Sequence, residues 1–135
     1  MSYWLLKTEP ESYSFDDLIR EGEAVWDGVT NNWALKFMRS IKKGDRALIY
    51  HSGKEKSIAG IAIITSNPYP DPEKENPSLV VFNLRAEQKL NGNVSLTRIK
   101  NDPFFGELLL VRHTRLSVLP VEEKYWRKIL AMDEA

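Results

Sequence analysis

Residues 26–34, WDGVTNNWA, put an aromatic plane, a carboxylate, a glycine and two amides within nine consecutive positions. Trp26 offers a surface for stacking, Asp27 accepts hydrogen bonds when ionised, and Gly28 can adopt a positive φ. Asn31 is a good helix N-cap, which predicts a turn followed by a helix. The run is typical of a site that holds a flat heterocycle, and also of a turn that leaves Trp26 in the core.

Upstream of this run, the pattern predicts a strand and a helix. Residues 3–7 form a short apolar segment typical of a strand, and Pro10 breaks regular structure after it. Ser14, with Asp17 three residues later, has the spacing of a capping box. Gly22 is expected to end that helix.

Downstream, the helix that follows Asn31 is expected to bury one apolar face. Five apolar residues at helical spacing form that face: Trp33, Ala34, Phe37, Met38 and Ile41. Residues 46–51 and 57–65 are apolar runs separated by a polar loop, which predicts an antiparallel hairpin. Residues 67–77 contain four of the seven prolines and are expected to form a long irregular loop.

The last third of the chain is expected to alternate strands and helices. Three strands are predicted, over residues 79–90, 108–112 and 115–119. Asn91-Gly92 marks a turn after the first of them. Two helices are predicted, one over residues 96–101 capped by Ser95 and a final one opened by Pro120 and Val121. The final helix is expected to turn four residues inwards: Tyr125, Trp126, Ile129 and Leu130.

Length and composition restrict the architecture and the function. The chain has 135 residues, 42% of them hydrophobic, which is enough for one domain with a real core. About six short strands with interspersed helices predict a single α+β domain over residues 1–135, with a curved or barrel-like sheet. The 19 basic residues balance the 19 acidic ones, which fits recognition of one nucleotide better than wrapping of a long duplex.

The missing residue types and motifs exclude several functions. There is no cysteine, and only His51 and His113 could supply imidazole ligands, so neither a disulfide nor a metal site is expected. The motifs of nucleotide hydrolysis, hydride transfer and serine hydrolysis are missing, and no cofactor is expected. Without a signal peptide or a membrane-spanning apolar run, we expect a soluble, cytoplasmic monomer that does not contact membranes.

Two short motifs at predicted strand ends carry reactive groups. The first is Lys7, Thr8 and Glu9, which fit acid–base chemistry if burial shifts their pKa values, or a solvated ion pair. The second is Tyr50, His51 and Ser52. His51 fits a base or a hydrogen-bond reader, and equally a structural histidine whose nitrogens are satisfied by the protein.

Basic residues form a ridge on the helix after Asn31. Lys36, Arg39 and Lys43 lie at i, i+3 and i+7. This ridge fits contacts to phosphates, and equally a solvated face near a helix C-terminus. A second basic group has the same two interpretations: Arg112, His113 and Arg115.

Taken together, these segments resemble the EVE domain, a family of the PUA-like superfamily. The matching segments run in the family's order over nearly the whole chain: YWLLKTEP at 3–10, SFDDL at 14–18, WDGV at 26–29, Asn31, GD at 44–45, YHS at 50–52, IAGIA at 58–62, YPDP at 69–72, ENP at 75–77 and RLSVLPV at 115–121. The resemblance implies a PUA-like β pseudobarrel of about six mostly antiparallel strands with peripheral helices. It also implies a pocket for a modified nucleobase, a modified cytosine in DNA or a modified base in RNA.

The resemblance carries roles over to individual positions. The expected ligand-binding residues are Thr8, Glu9, Trp26, Asp27, Val29, Asn31, Tyr50, His51 and Ser52. The residues expected to contact the nucleic-acid backbone are Lys36, Arg39, Lys43 and Arg112. The family usually has glutamine where this chain has Trp33, and helical spacing predicts that Trp33 belongs to the core.

The favoured hypothesis is a non-enzymatic reader whose partner is nucleic acid with a modified base. One alternative is an enzyme, because related ASCH-type folds include amidohydrolases of acylated cytidine. Lys7, Thr8 and Glu9 are the candidate groups for that reaction. The other alternative is an interaction module with a vestigial pocket.

Overall fold

The computed structural model describes residues 1–133, which form seven strands, five α-helices and one short 3-10 helix, Pro103–Phe105. The strands are β1 Tyr3–Thr8, β2 Glu23–Trp26, β3 Arg46–His51, β4 Ser57–Ile64, β5 Tyr69–Pro70, β6 Val80–Ser95 and β7 Val118–Val121. The helices are α1 Phe15–Glu21, α2 Asn32–Met38, α3 Leu96–Lys100, α4 Leu109–Arg112 and α5 Glu123–Met132. The predicted α+β class is confirmed.

One mostly antiparallel sheet organises the described residues. Six strands follow the order β2-β6-β4-β3-β1-β7, and β5 pairs with β6. β1 runs parallel to β3, with Thr8 opposite His51, and the other strand pairs are antiparallel. The pairing of β1 with β7 extends by one further hydrogen bond, which the Lys7 N–H donates to the Ser117 carbonyl. The end of β1 is thereby brought beside the segment that precedes β7.

The core lies between this sheet and the helices packed on it. Phe15 and Leu18 are the buried residues of α1, whereas Ile19, which has apolar helical spacing with them, is exposed. Phe15 packs so closely on β4 that a Cβ at Gly60 would lie 2.4 Å from its ring. Only glycine leaves room for this contact, so a residue that is unfavourable within a strand is required at position 60.

Side-chain caps fix the helix starts that the sequence predicts. The Ser14 side chain accepts from the Asp17 N–H, and the Asp17 carboxylate accepts from the Ser14 N–H, which completes the predicted capping box. Asn31 caps α2 by accepting from the Ala34 N–H at 3.0 Å. Ser95 caps α3 as predicted.

Two predicted features of the first half are wrong. Trp33 is 42% exposed, because α2 buries Ala34, Leu35 and Met38 and leaves Trp33 outside that face. Residues 23–26 form the strand β2 at one edge of the sheet, which was not predicted. Glu23 and Val25 are exposed there, so the segment has no apolar run that would indicate a strand. This strand delivers Trp26 to its position.

Three predicted features of the second half are also wrong. β6 continues through Asn91 and Gly92, because the buried Asp133 carboxylate accepts from both backbone N–H groups and replaces the expected turn. Residues 109–112 form the helix α4 and not the predicted strand, because a short apolar run does not distinguish a helix from a strand. Pro120 lies within β7, at the other edge of the sheet, where a residue without an N–H is tolerated. The final helix, α5, therefore begins only at Glu123 and not at Pro120.

Within residues 1–133, no helix has the length and apolar character required to cross a lipid bilayer.

Candidate functional site

One concavity, called the main pocket here, has a volume of about 780 Å³. Its lining includes every residue from Glu23 to Asn31, which form β2 and the loop that leads to α2. The other lining residues come from distant parts of the sequence: Lys7, Thr8, Tyr13, Glu21, Asn83 and Ser117. Residues 26–31 of the WDGVTNNWA run therefore line this pocket together with β2, whereas residues 32–34 do not.

Trp26 lines the main pocket, although most of its side chain is buried. It pairs with Phe82 across β2 and β6, and only 8% of its surface is exposed. The Tyr13 ring packs edge-on against it, with centroids 6.4 Å apart and planes at 78°. A broad, open stacking plane is therefore not available at Trp26, and a ligand would meet only a small part of the indole.

The loop after Trp26 presents the polar groups. Asp27 is exposed, Val29 is half-buried, and Gly28 has a φ of 77°, in the left-handed region that favours glycine. Asn31 uses its side-chain oxygen to cap α2, so only its amide nitrogen remains to donate to a ligand. The loop thus offers a carboxylate acceptor at one end and an amide donor at the other.

The end of β1 supplies Lys7 and Thr8. The Lys7 ammonium donates to the Thr114 carbonyl at 2.8 Å and lies 5.6 Å from the centre of the Tyr50 ring. Its partial burial lowers the pKa of Lys7 below the usual range of lysine. The Thr8 hydroxyl donates to the Tyr13 carbonyl at 2.7 Å, which fixes the segment that holds the Tyr13 ring.

Several main-pocket residues were missed by sequence reasoning. The Tyr13 hydroxyl donates to Glu21, and burial together with this carboxylate raises the pKa of Tyr13. Asn83 accepts from the Tyr69 hydroxyl at 2.5 Å, which orients its amide. Tyr13, Glu21 and Asn83 are isolated residues in unremarkable segments, so only the folded arrangement reveals their proximity.

Four of the expected ligand-binding residues lie away from the main pocket. Glu9 and Ser52 line a separate concavity of about 360 Å³. His51 is 6% exposed, its Nε2 accepts from the Phe15 N–H at 3.0 Å, and its Nδ1 lies 2.8 Å from a Glu55 carboxylate oxygen. Both ring nitrogens are therefore engaged by the protein, as in the structural interpretation of this histidine.

Tyr50 does not line the main pocket, but it contacts Lys7, which does. Its ring is buried, with 4% of its surface exposed, and the Lys7 ammonium lies over it. Of the expected set, the structure brings five residues together in the main pocket: Thr8, Trp26, Asp27, Val29 and Asn31.

The expected backbone contacts Lys36, Arg39, Lys43 and Arg112 are all exposed. The Arg39 guanidinium donates to the Ser78 carbonyl at 2.7 Å and ties α2 to the loop before β6. Arg112 lies at the end of α4 and lines a second groove of about 320 Å³, which also includes Asn31 and Trp33. Asn31 therefore belongs to both concavities.

The chemistry of the main pocket is that of a polar, aromatic binding site. Three acidic side chains, Glu21, Glu23 and Asp27, line it together with one ammonium group. Carboxylates accept from amines and an ammonium donates to carbonyl groups, so the pocket suits a planar molecule that carries both. Within residues 1–133, no three histidine or acidic side chains converge as metal ligands do.

Comparison with known proteins relates this arrangement to two solved structures with similar sequences. The Rpa0253 protein of Rhodopseudomonas palustris is 35% identical, with a TM-score of 0.94, and the match covers 99% of this chain and 94% of that one. The human THYN1 protein, solved in complex with DNA that contains 5-methylcytosine, is 28% identical with a TM-score of 0.91, and the match covers 100% and 99% of the chains. In sequence, human thymocyte nuclear protein 1 is 28% identical over 98% of this chain and 74% of its own length.

A more distant likeness and a family match complete the comparison. The ZmASCH protein of Zymomonas mobilis has a TM-score of 0.62 at 12% identity, with 98% of this chain and 99% of that one covered. That likeness concerns the fold alone, and the expected PUA-like fold is confirmed. The EVE domain matches residues 2–132. The chain therefore belongs to the EVE domain family.

Proposed function

We propose that this chain is a non-enzymatic reader that holds one modified nucleobase, a modified cytosine in DNA or a modified base in RNA, in the main pocket. The observation that carries the proposal is the acid-lined aromatic pocket formed by residues 23–31. Its volume of about 780 Å³ lies within the range of ligand pockets, roughly 300–1,000 Å³. The human THYN1 protein, whose solved structure matches 100% of this chain, was solved with DNA that contains 5-methylcytosine.

The side chains of the pocket fit the edge of a cytosine. The exocyclic amine of the base would donate to Asp27, since a carboxylate accepts from that group. Lys7 and the Asn31 amide can donate to the carbonyl and ring-nitrogen acceptors on the same base. A 5-methyl group is apolar and would contact Tyr13 or the half-buried Val29.

Access to the base favours single strands. Within a duplex the target must rotate out of the stack, which costs a few kcal/mol and is least costly for a base that is already unpaired. With a net charge of zero, the chain has no general cationic surface to offset that cost. We therefore expect tighter binding to a modified single strand than to the same base within a duplex.

The test is fluorescence anisotropy on paired oligonucleotides that differ only in one 5-methylcytosine, as DNA and as RNA, single-stranded and duplex. The wild type should bind the modified strand more tightly. Asp27→Asn should weaken binding of the modified strand and reduce its selectivity over a strand with thymine at the same position, because thymine lacks the exocyclic amine and the pure acceptor becomes a mixed donor and acceptor. Asp16→Asn is the matched control, since Asp16 is exposed and pairs with Lys89 outside the main pocket. Equal affinity of the wild type for every pair rejects the proposal and favours the interaction module.

The enzyme alternative is less well supported by the site. Lys7 and Thr8 line the main pocket, whereas Glu9 lines a different concavity, so the three candidate acid–base groups are divided. We expect acetylcytidine incubated with the protein to remain acetylated, as followed by chromatography. Deacetylation that is lost in Lys7→Gln would establish the enzyme instead. The expected cytoplasmic location and monomeric state stay predictions.

A further inference from the structure

The second groove adjoins the main pocket but has the opposite chemical character. It is lined by Trp33, Arg112, His113 and Arg115, and it shares Asn31 with the main pocket. The lining residues of the groove include no aspartate or glutamate, whereas three acidic side chains line the main pocket. The hydrogen bond from Lys7 to the Thr114 carbonyl joins the two, because Lys7 lines the pocket and Thr114 lines the groove.

Trp33 is a large exposed aromatic held in a fixed orientation. Its surface is 42% exposed, and its ring packs edge-on against His113, with centroids 4.7 Å apart and planes at 76°. On α2 it also contacts Phe37, with ring centroids 6.0 Å apart. A single exposed apolar residue is ordinary, but one braced by two rings beside two arginines is suited to stack a planar group.

The two arginines supply the charge that a phosphate requires. Arg112 and Arg115 are both exposed, and the Arg112 guanidinium lies 3.4 Å from the exposed Glu107 carboxylate. Such an exposed pair is weak and is readily exchanged for another anion. Arginine is well suited to phosphate because its fork of N–H donors fits two oxygens at once.

We propose that the second groove is a subsite for the nucleotide next to the read base. Arg112 and Arg115 bind the phosphate that links the two nucleotides, and the neighbouring base stacks on Trp33. The inference rests on the proposed function of the main pocket, and it adds a single-stranded segment of at least two nucleotides as the ligand. A neutral, amine-bearing base next to an anionic phosphate matches an acidic pocket next to a basic groove.

The test compares four ligands on the same protein: the 5-methyldeoxycytidine nucleoside, a short single strand that contains it, and two such strands with an abasic position on its 5′ or its 3′ side. Trp33→Ala should weaken binding of the intact strand by about tenfold, since one base–aromatic stack has about that effect. It should leave nucleoside binding, and the preference for the modified strand, unchanged. For wild type, one of the two abasic strands should bind about as weakly as the intact strand binds to Trp33→Ala. Trp33→Ala itself should bind that abasic strand and the intact strand with equal affinity.

The arginines are tested through salt. Arg112→Ala with Arg115→Ala should reduce the log–log salt slope by about 0.7, because both arginines bind the same phosphate and each neutralised phosphate on a single strand contributes about 0.7. A neutral methylphosphonate linkage beside the read base should remove the same dependence. The matched controls are Phe104→Ala, an aromatic of similar exposure that packs on Tyr125, and Arg127→Ala on α5. Both should bind all ligands as wild type does.

The outcomes separate this inference from the function on which it rests. If wild type prefers the modified strand but neither abasic strand binds more weakly than the intact one, the reader stands and the groove subsite is rejected. If the Trp33 and arginine effects appear without any preference for the modified base, the groove stands and the reader function fails. If Trp33→Ala weakens the free nucleoside as much as the strand, Trp33 acts through the main pocket and the inference is overturned.

Discussion

The Tyr3 ring stacks on the Trp126 ring, with centroids 4.4 Å apart and planes inclined by 24°. Tyr3 begins β1 and Trp126 lies on α5, so this contact joins the first strand of the chain to its last helix. β1 carries Lys7 and Thr8 at its other end, and both line the main pocket. The last helix therefore secures the strand that supplies one side of the site.

Removing the Trp126 ring should lower the stability of the whole fold. Only 6% of Trp126 is exposed, so Trp126→Ala should reduce the free energy of unfolding by about 3–5 kcal/mol, as for other large-to-small core changes. Chemical denaturation measures this, and one cooperative transition would support the expected single domain over residues 1–135. Trp33→Ala is the exposed counterpart and should cost less than about 1 kcal/mol. A loss below about 1 kcal/mol at Trp126 would show that α5 is peripheral.

Adding one methyl group at Gly60 should destabilise the protein. The new Cβ would lie 2.4 Å from the Phe15 ring, which is 1% exposed and cannot turn into solvent. Overpacking of this kind costs about 1–3 kcal/mol, so Gly60→Ala should lower the denaturation midpoint accordingly. Gly92→Ala is the matched control, because no atom lies within 4 Å of its added Cβ. Equal effects at the two glycines would contradict close packing at Phe15.

The elements with local signals were predictable from the sequence, and those set by tertiary partners were not. The Ser14 capping box and the burial of Trp126 follow from neighbouring residues and helical spacing, and the structure confirms both. The extended path through Asn91 depends on Asp133, which lies 42 positions away. The same distinction applies to the residues that line the main pocket. Residues 26–31 could be recognised as a unit, whereas Tyr13 reaches the pocket only through the fold.

Lys7 should titrate below an ordinary lysine, whose pKa is about 10.4. Because the folded pKa is lowered by burial, the unfolded chain binds more protons between the folded pKa and the ordinary value. The contribution of Lys7 to the free energy of unfolding therefore rises with pH across that window and is lost as the pH falls through the folded pKa. NMR titration of the Lys7 Cε resonance gives the pKa directly. The stability difference between wild type and Lys7→Gln, followed against pH, should rise in the same window, and a flat difference would contradict the burial of this ammonium.

Lys36 on α2 and Arg39, which follows its last residue, should affect affinity without affecting selectivity. Lys36 and Arg39 are exposed, although Arg39 already donates to the Ser78 carbonyl. If the two residues contact two separate phosphates, Lys36→Ala with Arg39→Ala should flatten the salt slope on single strands by about 1.4 and weaken modified and plain strands equally. Lys100→Ala with Arg127→Ala removes the same charge from α3 and α5 and should leave the slope unchanged. A change in the preference for the modified strand would place α2 in the reading of the base itself.

Asn31 should combine a structural role with a binding role, and two substitutions separate them. Its side-chain oxygen caps α2 at 3.0 Å from the Ala34 nitrogen, and Asn31 lines both the main pocket and the second groove. Asn31→Ala should cost about 0.5–2 kcal/mol of stability through loss of the cap, whereas Asn31→Asp keeps an acceptor and should remain close to wild type.

Binding should reverse that order. Asn31→Asp loses the amide donor and adds a negative charge beside the proposed phosphate site, so it should bind a modified single strand more weakly than Asn31→Ala does. Denaturation and anisotropy on the same preparations measure both effects. Ser95→Ala, which removes the cap of α3 outside both concavities, should lower stability without changing affinity. An Asn31→Asp variant with wild-type affinity would limit Asn31 to capping the helix.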